Sequence, residues 1–175
     1  KQHEYPVPLI GGIVMSISIA LSMLLYPTSL SSLRILMFSI SVVVIIGVLD
    51  DHQDIPAWSK ILVQVGVGLL LTIVDGNVVR FIGDIYGHSV DQGLGVLAIP
   101  FSVIAIVGVI NAFNMIDGHD GLCGIITLIS IGSLAFLFSV RGDGYGSQYF
   151  LLILLMMVVV SVFLVFNLGL WGNSR

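Results

Sequence analysis

Charge is what this sequence has least of. Lys, Arg, Asp and Glu together make up 9% of the 175 residues, and 57% of the residues are hydrophobic. Soluble domains carry about 25% charged residues, so this composition excludes an ordinary soluble domain and indicates an integral membrane protein. The six basic residues form no tract and the net charge is −4, which argues against nucleic acid as a partner. A single cysteine, Cys123, excludes an intramolecular disulfide.

The apolar residues are grouped into runs that polar segments separate. A membrane-spanning helix needs about 20 such residues, and the third run falls short of that length. Because Trp58 and Lys60 can lie at the membrane interface, we expect its helix to begin in the preceding loop. The six runs cover 11–26, 33–49, 61–74, 94–110, 122–140 and 149–170. The sequence therefore predicts an all-α polytopic membrane protein with about six transmembrane helices, forming a single domain over 1–175.

Counting six spans assigns the polar segments to the two membrane surfaces. The amino terminus, the polar turn 50–59, the segment 111–121 and the carboxyl terminus share one face. The opposite face receives the remaining segments, and we expect one of them, 75–93, to hold a small hairpin. The six basic residues divide equally between the faces, so the positive-inside rule does not orient the protein.

Residues 111–122 break the apolar pattern most sharply. Between two long hydrophobic runs, this short segment contains five polar or charged side chains: Asn111, Asn114, Asp117, His119 and Asp120. A carboxylate at bilayer depth costs about 2.5–3.5 kcal/mol, so such residues usually contact polar partners and serve a function. A plain solvated loop has no need for paired amides and paired acids at fixed spacing. We therefore interpret this segment as part of a functional site.

A second acidic cluster, Asp50-Asp51-His52-Gln53-Asp54, is predicted on the same membrane surface. Adjacent carboxylates repel each other unless a cation or a base shares the site. Helical spacing would also place Asp51 and Asp54 on one face. Alone, the cluster could simply end a membrane helix at the lipid headgroups, but the second cluster on the same surface favours a site.

The donor chemistry of the two clusters suits Mg²⁺. Carboxylate and amide oxygens without thiolates are the ligands that this ion prefers, commonly together with substrate phosphates. A nearby lysine, Lys60, suggests chemistry on a diphosphate, in which the protein positions the reacting groups and neutralises charge. Transporters also carry acids within the membrane, so a cation pathway is the alternative.

Four motifs occur in an order that resembles a known family. They are Pro-Leu-Ile-Gly-Gly at 8–12, Gly-Val-Leu-Asp-Asp-His-Gln-Asp at 47–54, Asn-Ala-Phe-Asn-Met-Ile-Asp-Gly-His-Asp-Gly-Leu at 111–122 and Phe-Asn-Leu-Gly at 166–169. Together they resemble the polyprenyl-phosphate N-acetylhexosamine-1-phosphate transferases of glycosyltransferase family 4. Within it, the chain looks most like the bacterial type that transfers N-acetylglucosamine-1-phosphate from UDP-GlcNAc to undecaprenyl phosphate and releases UMP.

The resemblance implies catalytic and metal-binding roles for four motif residues. Asp50 and Asp51 would form a catalytic pair near the acceptor phosphate. Asp117 would assist catalysis by positioning the metal and the diphosphate. Asn114 and Asp117 would be ligands of Mg²⁺, for which Mn²⁺ could substitute.

The resemblance also implies substrate contacts and a location. Asp120 would contact the uridine side of the donor, Lys60 would hold the lipid phosphate, and Asn111 and His3 would contact substrate. The expected partners are a UDP-sugar donor, a polyprenyl phosphate acceptor and the membrane, with a homodimer as one possible assembly. The enzyme would lie in the bacterial cytoplasmic membrane, its active site facing the cytoplasm. It would catalyse the first membrane step of O-antigen, enterobacterial common antigen or teichoic acid assembly.

This sequence departs from the family pattern at its ends. The family continues beyond the Phe-Asn-Leu-Gly motif with a Phe-x-Gly-Asp-x-Gly motif, whose Asp is another magnesium ligand, and a His-rich loop. We interpret the chain as a fragment that lacks the family's N-terminal helix and its C-terminal helices and loops, and we expect the fragment alone to be inactive. A related transferase acting on UDP-N-acetylmuramoyl-pentapeptide is the alternative within the family.

Overall fold

The helices of the computed structural model follow the apolar runs. The structure describes residues 11–25, 33–83, 93–116, 121–141 and 148–169, and within them it contains no strand. The α-helices are α1 (Gly11–Leu25), α2 (Arg34–Gln53), α3 (Ala57–Leu69), α4 (Ala98–Ile116), α5 (Leu122–Arg141) and α6 (Gln148–Asn167). The predicted all-α architecture is confirmed.

Among the described residues, five helical stretches are long and apolar enough to cross a membrane. They are Arg34–Gln53, Ala57–Val74, Gly95–Ile116, Leu122–Val140 and Tyr149–Asn167, and α1 is shorter. Their large apolar side chains stand largely on the outer surface, as Leu24 and Ile104 do. Exposed apolar surface on this scale marks a lipid-facing protein, and the chain is a multi-pass membrane protein.

The helix ends differ from the ends of the apolar runs. Helix α3 begins at Ala57, directly after Pro56, and a π-helical turn over Leu70–Val74 lengthens it. The expected extension into the preceding loop is therefore confirmed. Helix α2 continues through Gln53 and α4 through Ile116. The polar turn predicted over 50–59 is wrong in extent, since only residues 54–56 separate α2 from α3.

The chain divides into two compact units, which we call the central unit (residues 31–112) and the terminal unit (residues 1–30 and 113–175). In the central unit, α2 packs on α3 and on its π-helical turn. Helices α3 and α4 approach closely where Gly68 faces Val103, because a Cβ on Gly68 would lie 3.2 Å from Val103 Cγ1. A larger residue at position 68 would require Val103 to shift by a few tenths of an ångström.

A connecting segment is fixed at one end of the central unit. The N–H of Val79 donates to Ser102 Oγ at 2.8 Å, and Ser102 donates in turn to Ala98 O at 2.7 Å. An isolated antiparallel bridge joins Phe81 and Gly93. Both residues lie within the segment 75–93 in which a hairpin is predicted, and the hairpin itself stays a prediction because residues 84–92 lie outside the described part.

In the terminal unit, α6 packs against both α1 and α5. Glycines allow the close contact with α5: a Cβ on Gly124 would lie 2.6 Å from Leu164 Cδ2, and one on Gly121 would lie 2.6 Å from Leu168 Cδ2. Gly121 also has a φ of 76°, a conformation that costs other residues strain. The start of α5 is thus fixed against the Phe-Asn-Leu-Gly motif.

Candidate active site

The turn between α2 and α3 is built around Asp50. One carboxylate oxygen, Oδ1, accepts the N–H of Ile55 at 3.1 Å. The other, Oδ2, accepts from Lys60 Nζ at 2.8 Å in an ion pair. Asp50 therefore holds the turn through one oxygen and the first helical turns of α3 through the other.

The ion pair is partly withdrawn from solvent. The side chains of Lys60 and Asp50 are 27% and 26% exposed. A charge-assisted hydrogen bond at this distance is among the stronger kinds, and partial burial weakens solvent screening of the pair. The structure thus places Lys60 beside the predicted catalytic pair, with Asp50 as its counter-ion.

The neighbouring Asp51 has a different environment. It lies in the last turn of α2 and is exposed, and in the described part of the chain its carboxylate has no hydrogen bond or ion pair. The two adjacent acids are therefore unequal among the described residues: both oxygens of Asp50 accept hydrogen bonds there, whereas neither oxygen of Asp51 does.

The expectation that Asp51 and Asp54 share a helical face is wrong. Helix α2 ends at Gln53, and Asp54 adopts a left-handed conformation with φ 40° and ψ 61°. Spacing of three residues places side chains on one face only while the helix continues. The left-handed turn at Asp54 removes that condition.

Asn111 is held between two helices. Its Nδ2 donates to Gln64 Oε1 at 2.6 Å and to Val107 O, one turn earlier in α4, at 2.9 Å. Asn111 is half-buried and Gln64 is buried. Lys60 and Gln64 are one helical turn apart in α3, so the Asp50 ion pair and Asn111 lie at the same end of the central unit.

Gln64 was missed in the sequence reasoning. The sequence did contain a signal, because Gln64 is a polar amide within the apolar run 61–74, four residues after Lys60, and polar side chains in membrane helices usually have polar partners. Side chains four residues apart share a helix face. That spacing could have associated Gln64 with Lys60, but not with its partner in α4.

The remaining predicted residues are placed only in part. Asn114 is exposed in the last turn of α4, three residues after Asn111. Asp117, Asp120 and His3 lie outside the described residues, so their roles stay predictions. Within the described ranges no group of three His, Cys, Asp or Glu side chains could hold a metal ion. The amide oxygen of Asn114, which the resemblance makes a metal ligand, is a donor type that suits Mg²⁺.

The fold and these residues define a multi-pass helical membrane protein. At one end of its central unit stand an ion pair, an exposed carboxylate and a paired amide. The profile of glycosyl transferase family 4 matches residues 33–170, which is most of the chain. The chain belongs to this family, as its motifs predicted.

A curated relative is the undecaprenyl-phosphate alpha-N-acetylglucosaminyl 1-phosphate transferase of Yersinia pestis. It is 30% identical to this chain over 173 residues, which are 99% of this chain and 46% of the relative. The chain thus spans about half the length of the relative that it matches. No solved structure matches it.

Proposed function

We propose that the protein containing this chain transfers N-acetylglucosamine-1-phosphate from UDP-GlcNAc to undecaprenyl phosphate and releases UMP. The family and the name of the Yersinia relative support this reaction. The observation that carries it is the unequal acid pair, in which Asp50 is paired with Lys60 while Asp51 is exposed and makes no hydrogen bond to another described residue. A lysine can hold the phosphate of the acceptor by its charge, and an exposed carboxylate beside it can serve as a base.

In the reaction, an oxygen of the lipid phosphate attacks the phosphorus that bears the sugar. A new P–O bond forms at this phosphorus. The bond from the same phosphorus to the oxygen that bridges the two donor phosphates breaks, and UMP leaves with the electron pair. Asp51 is the better candidate for the base that takes the acceptor's proton, because both Asp50 oxygens already accept hydrogen bonds. Asp50 positions Lys60, which would hold the acceptor phosphate by its charge.

Donor and metal contacts complete the proposal. Asn114 and Asp117 would hold Mg²⁺, which supplies neutralisation of the charge that develops on the diphosphate. Asp120 would contact the uridine side of the donor, and His3 and Asn111 would contact substrate. The site would face the cytoplasm from a bacterial cytoplasmic membrane, at the start of surface polysaccharide assembly.

The test is UMP release by the full-length protein in lipid nanodiscs with undecaprenyl phosphate. UDP-GlcNAc, other UDP-sugars and UDP-N-acetylmuramoyl-pentapeptide are compared, each with and without Mg²⁺. We expect UMP release that requires both undecaprenyl phosphate and UDP-GlcNAc. Preference for the pentapeptide donor would assign the related transferase instead. Acid-dependent ion flux in proteoliposomes without UMP release would indicate a transporter and contradict the proposal.

A covalent route has a separate signature. If Asp51 acted as a nucleophile, incubation with the donor alone would leave a phosphosugar on its carboxylate and release one UMP for each enzyme. Mass spectrometry of the quenched protein detects such an adduct. We expect none, because the proposed role of Asp51 is that of a base.

A further inference from the structure

We infer that Gln64 is a positioning residue of this site, holding the side chain of Asn111 so that only its oxygen is available to a ligand. The inference rests on the proposed function for the identity of the ligand, but the pairing itself does not. None of the four sequence motifs includes Gln64. Its assignment comes from its burial and its contact across two helices.

The orientation of the Asn111 amide follows from its partners. Val107 O is a backbone carbonyl and can only accept, so the Asn111 atom 2.9 Å from it must be the nitrogen, Nδ2. The same nitrogen lies 2.6 Å from Gln64, and the Gln64 atom there must accept as well, which makes it Oε1. A side-chain amide has two N–H groups. Both N–H groups of Asn111 are therefore engaged.

This arrangement limits what Asn111 can bind. With both donors engaged, the carbonyl oxygen, Oδ1, is the remaining polar atom of the side chain, and it makes no hydrogen bond to another described residue. An oxygen acceptor repels a phosphate, and it attracts a divalent cation or the N–H and O–H groups of a sugar or a base. Asn111 therefore contacts the metal or an uncharged part of the donor, and its amide does not clamp the diphosphate.

Gln64 connects this amide to the acidic turn. Lys60 and Gln64 are four residues apart in α3, a rise of about 6 Å, and they share one face of the helix. Through that face α3 binds α2 by the Asp50 ion pair and α4 by the Asn111 amide. The face thus fixes the carboxyl-terminal part of α4 at the level of the ion pair.

A positioning role has a kinetic signature that a general packing role lacks. If Gln64 acts through Asn111, replacing it matters only while Asn111 is present. Gln64→Met removes the acceptor at similar volume and leaves a half-buried N–H without a partner, which we expect to lower kcat/KM for UMP release about tenfold. In an Asn111→Leu background, the same substitution should change kcat/KM by less than about twofold.

The matched control is Thr72→Val. Thr72 is also buried on the same stretch of helix, yet among the described residues its hydroxyl donates only to carbonyls of its own helix, Gly68 O at 2.8 Å and Leu69 O at 3.3 Å. This substitution should leave kcat/KM within about twofold of the parent in both backgrounds. A tenfold loss there would show that any buried polar change disturbs the site, and would overturn the specific role of Gln64.

The same variants are tested without reference to activity by thermal unfolding in nanodiscs. The sum of the losses in unfolding free energy for Gln64→Met and Asn111→Leu should exceed the loss for the double variant. Independent effects in both the kinetic and the unfolding cycles would overturn the inference. If the parent protein releases no UMP from any donor, the proposed function fails, and the unfolding cycle still decides whether Gln64 and Asn111 are coupled.

Discussion

Asp50 and Asp51 should respond differently to the same substitution. Asp50→Asn removes the charge that faces Lys60 but keeps an oxygen that can accept the Ile55 N–H. Asp51→Asn removes a charge that has no partner in the described part of the chain. We therefore expect both variants to lose activity and only Asp50→Asn to lose stability.

The magnitudes follow from exposure and contact. Fully exposed ion pairs contribute about 0.2–1 kcal/mol. The Asp50–Lys60 pair is three-quarters buried and its N–O distance is 2.8 Å, so we expect a loss of about 1 kcal/mol, at the upper end of that range. A change of this size lowers Tm by about 2–4 °C in a protein of 150–250 residues, and by less in a longer protein because the entropy of unfolding grows with chain length. Asp51→Asn should change the free energy of unfolding by less than about 0.5 kcal/mol.

The kinetic expectation is larger than the stability effect. Loss of a general base typically costs about 10²–10⁴-fold, and we expect this loss in kcat for Asp51→Asn in the full-length protein. Asp50→Asn should lose activity through displacement of Lys60. Asp54→Asn is the matched control, because Asp54 is exposed and Asn tolerates its left-handed conformation.

The measurements are UMP release and thermal unfolding of the three variants in the same nanodiscs. Equal loss of stability for Asp50→Asn and Asp51→Asn would refute the assignment of unequal environments. A loss of less than about threefold in kcat for both variants would remove the pair from the catalytic residues, since it lies far below what a general base contributes.

Three further substitutions or treatments have defined outcomes. Gly121→Ala should destabilise the protein by about 1–3 kcal/mol, because the φ of Gly121 is 76° and a Cβ there would meet Leu168. Gly132→Ala should leave the stability unchanged, because a Cβ there meets open space. Equal Tm values for the two variants would contradict this expectation. Ser102→Ala should accelerate hydrogen exchange at the Val79 amide and cost about 1 kcal/mol, whereas Ser130→Ala, an exposed serine bonded within its own helix, should leave that amide unchanged. Removal of divalent ions with EDTA should abolish UMP release and added Mg²⁺ should restore it; full activity in EDTA would refute the magnesium role.

The helices were predictable because lipid leaves the backbone few choices. A long apolar run in a bilayer must satisfy its own N–H and C=O groups, which a helix does within one segment. The ends were less predictable. Helices α2 and α4 continue past their apolar runs to Gln53 and Ile116, because helical hydrogen bonding does not stop where the side chains become polar. Hydropathy therefore located the spans and misplaced the polar residues at their ends.

The site was predictable in composition and not in pairing. The motif identified Asp50 and Asp51 together, but which acid is engaged depends on where α2 ends and how the next three residues turn. The contact between Gln64 and Asn111 joins residues 47 positions apart, and only helix packing brings them together. Local spacing carries no information about such a contact.

The ion pair changes how the acceptor phosphate would reach Lys60. The family resemblance implied a lysine ready for the phosphate, whereas Lys60 Nζ already lies 2.8 Å from Asp50 Oδ2. An arriving phosphate must share the lysine with Asp50 or displace it. Displacement would leave the turn in place, because Asp50 Oδ1 keeps its hydrogen bond from the Ile55 N–H. The carboxylate can thus stay fixed while the lysine, on its longer and more flexible chain, follows the substrate.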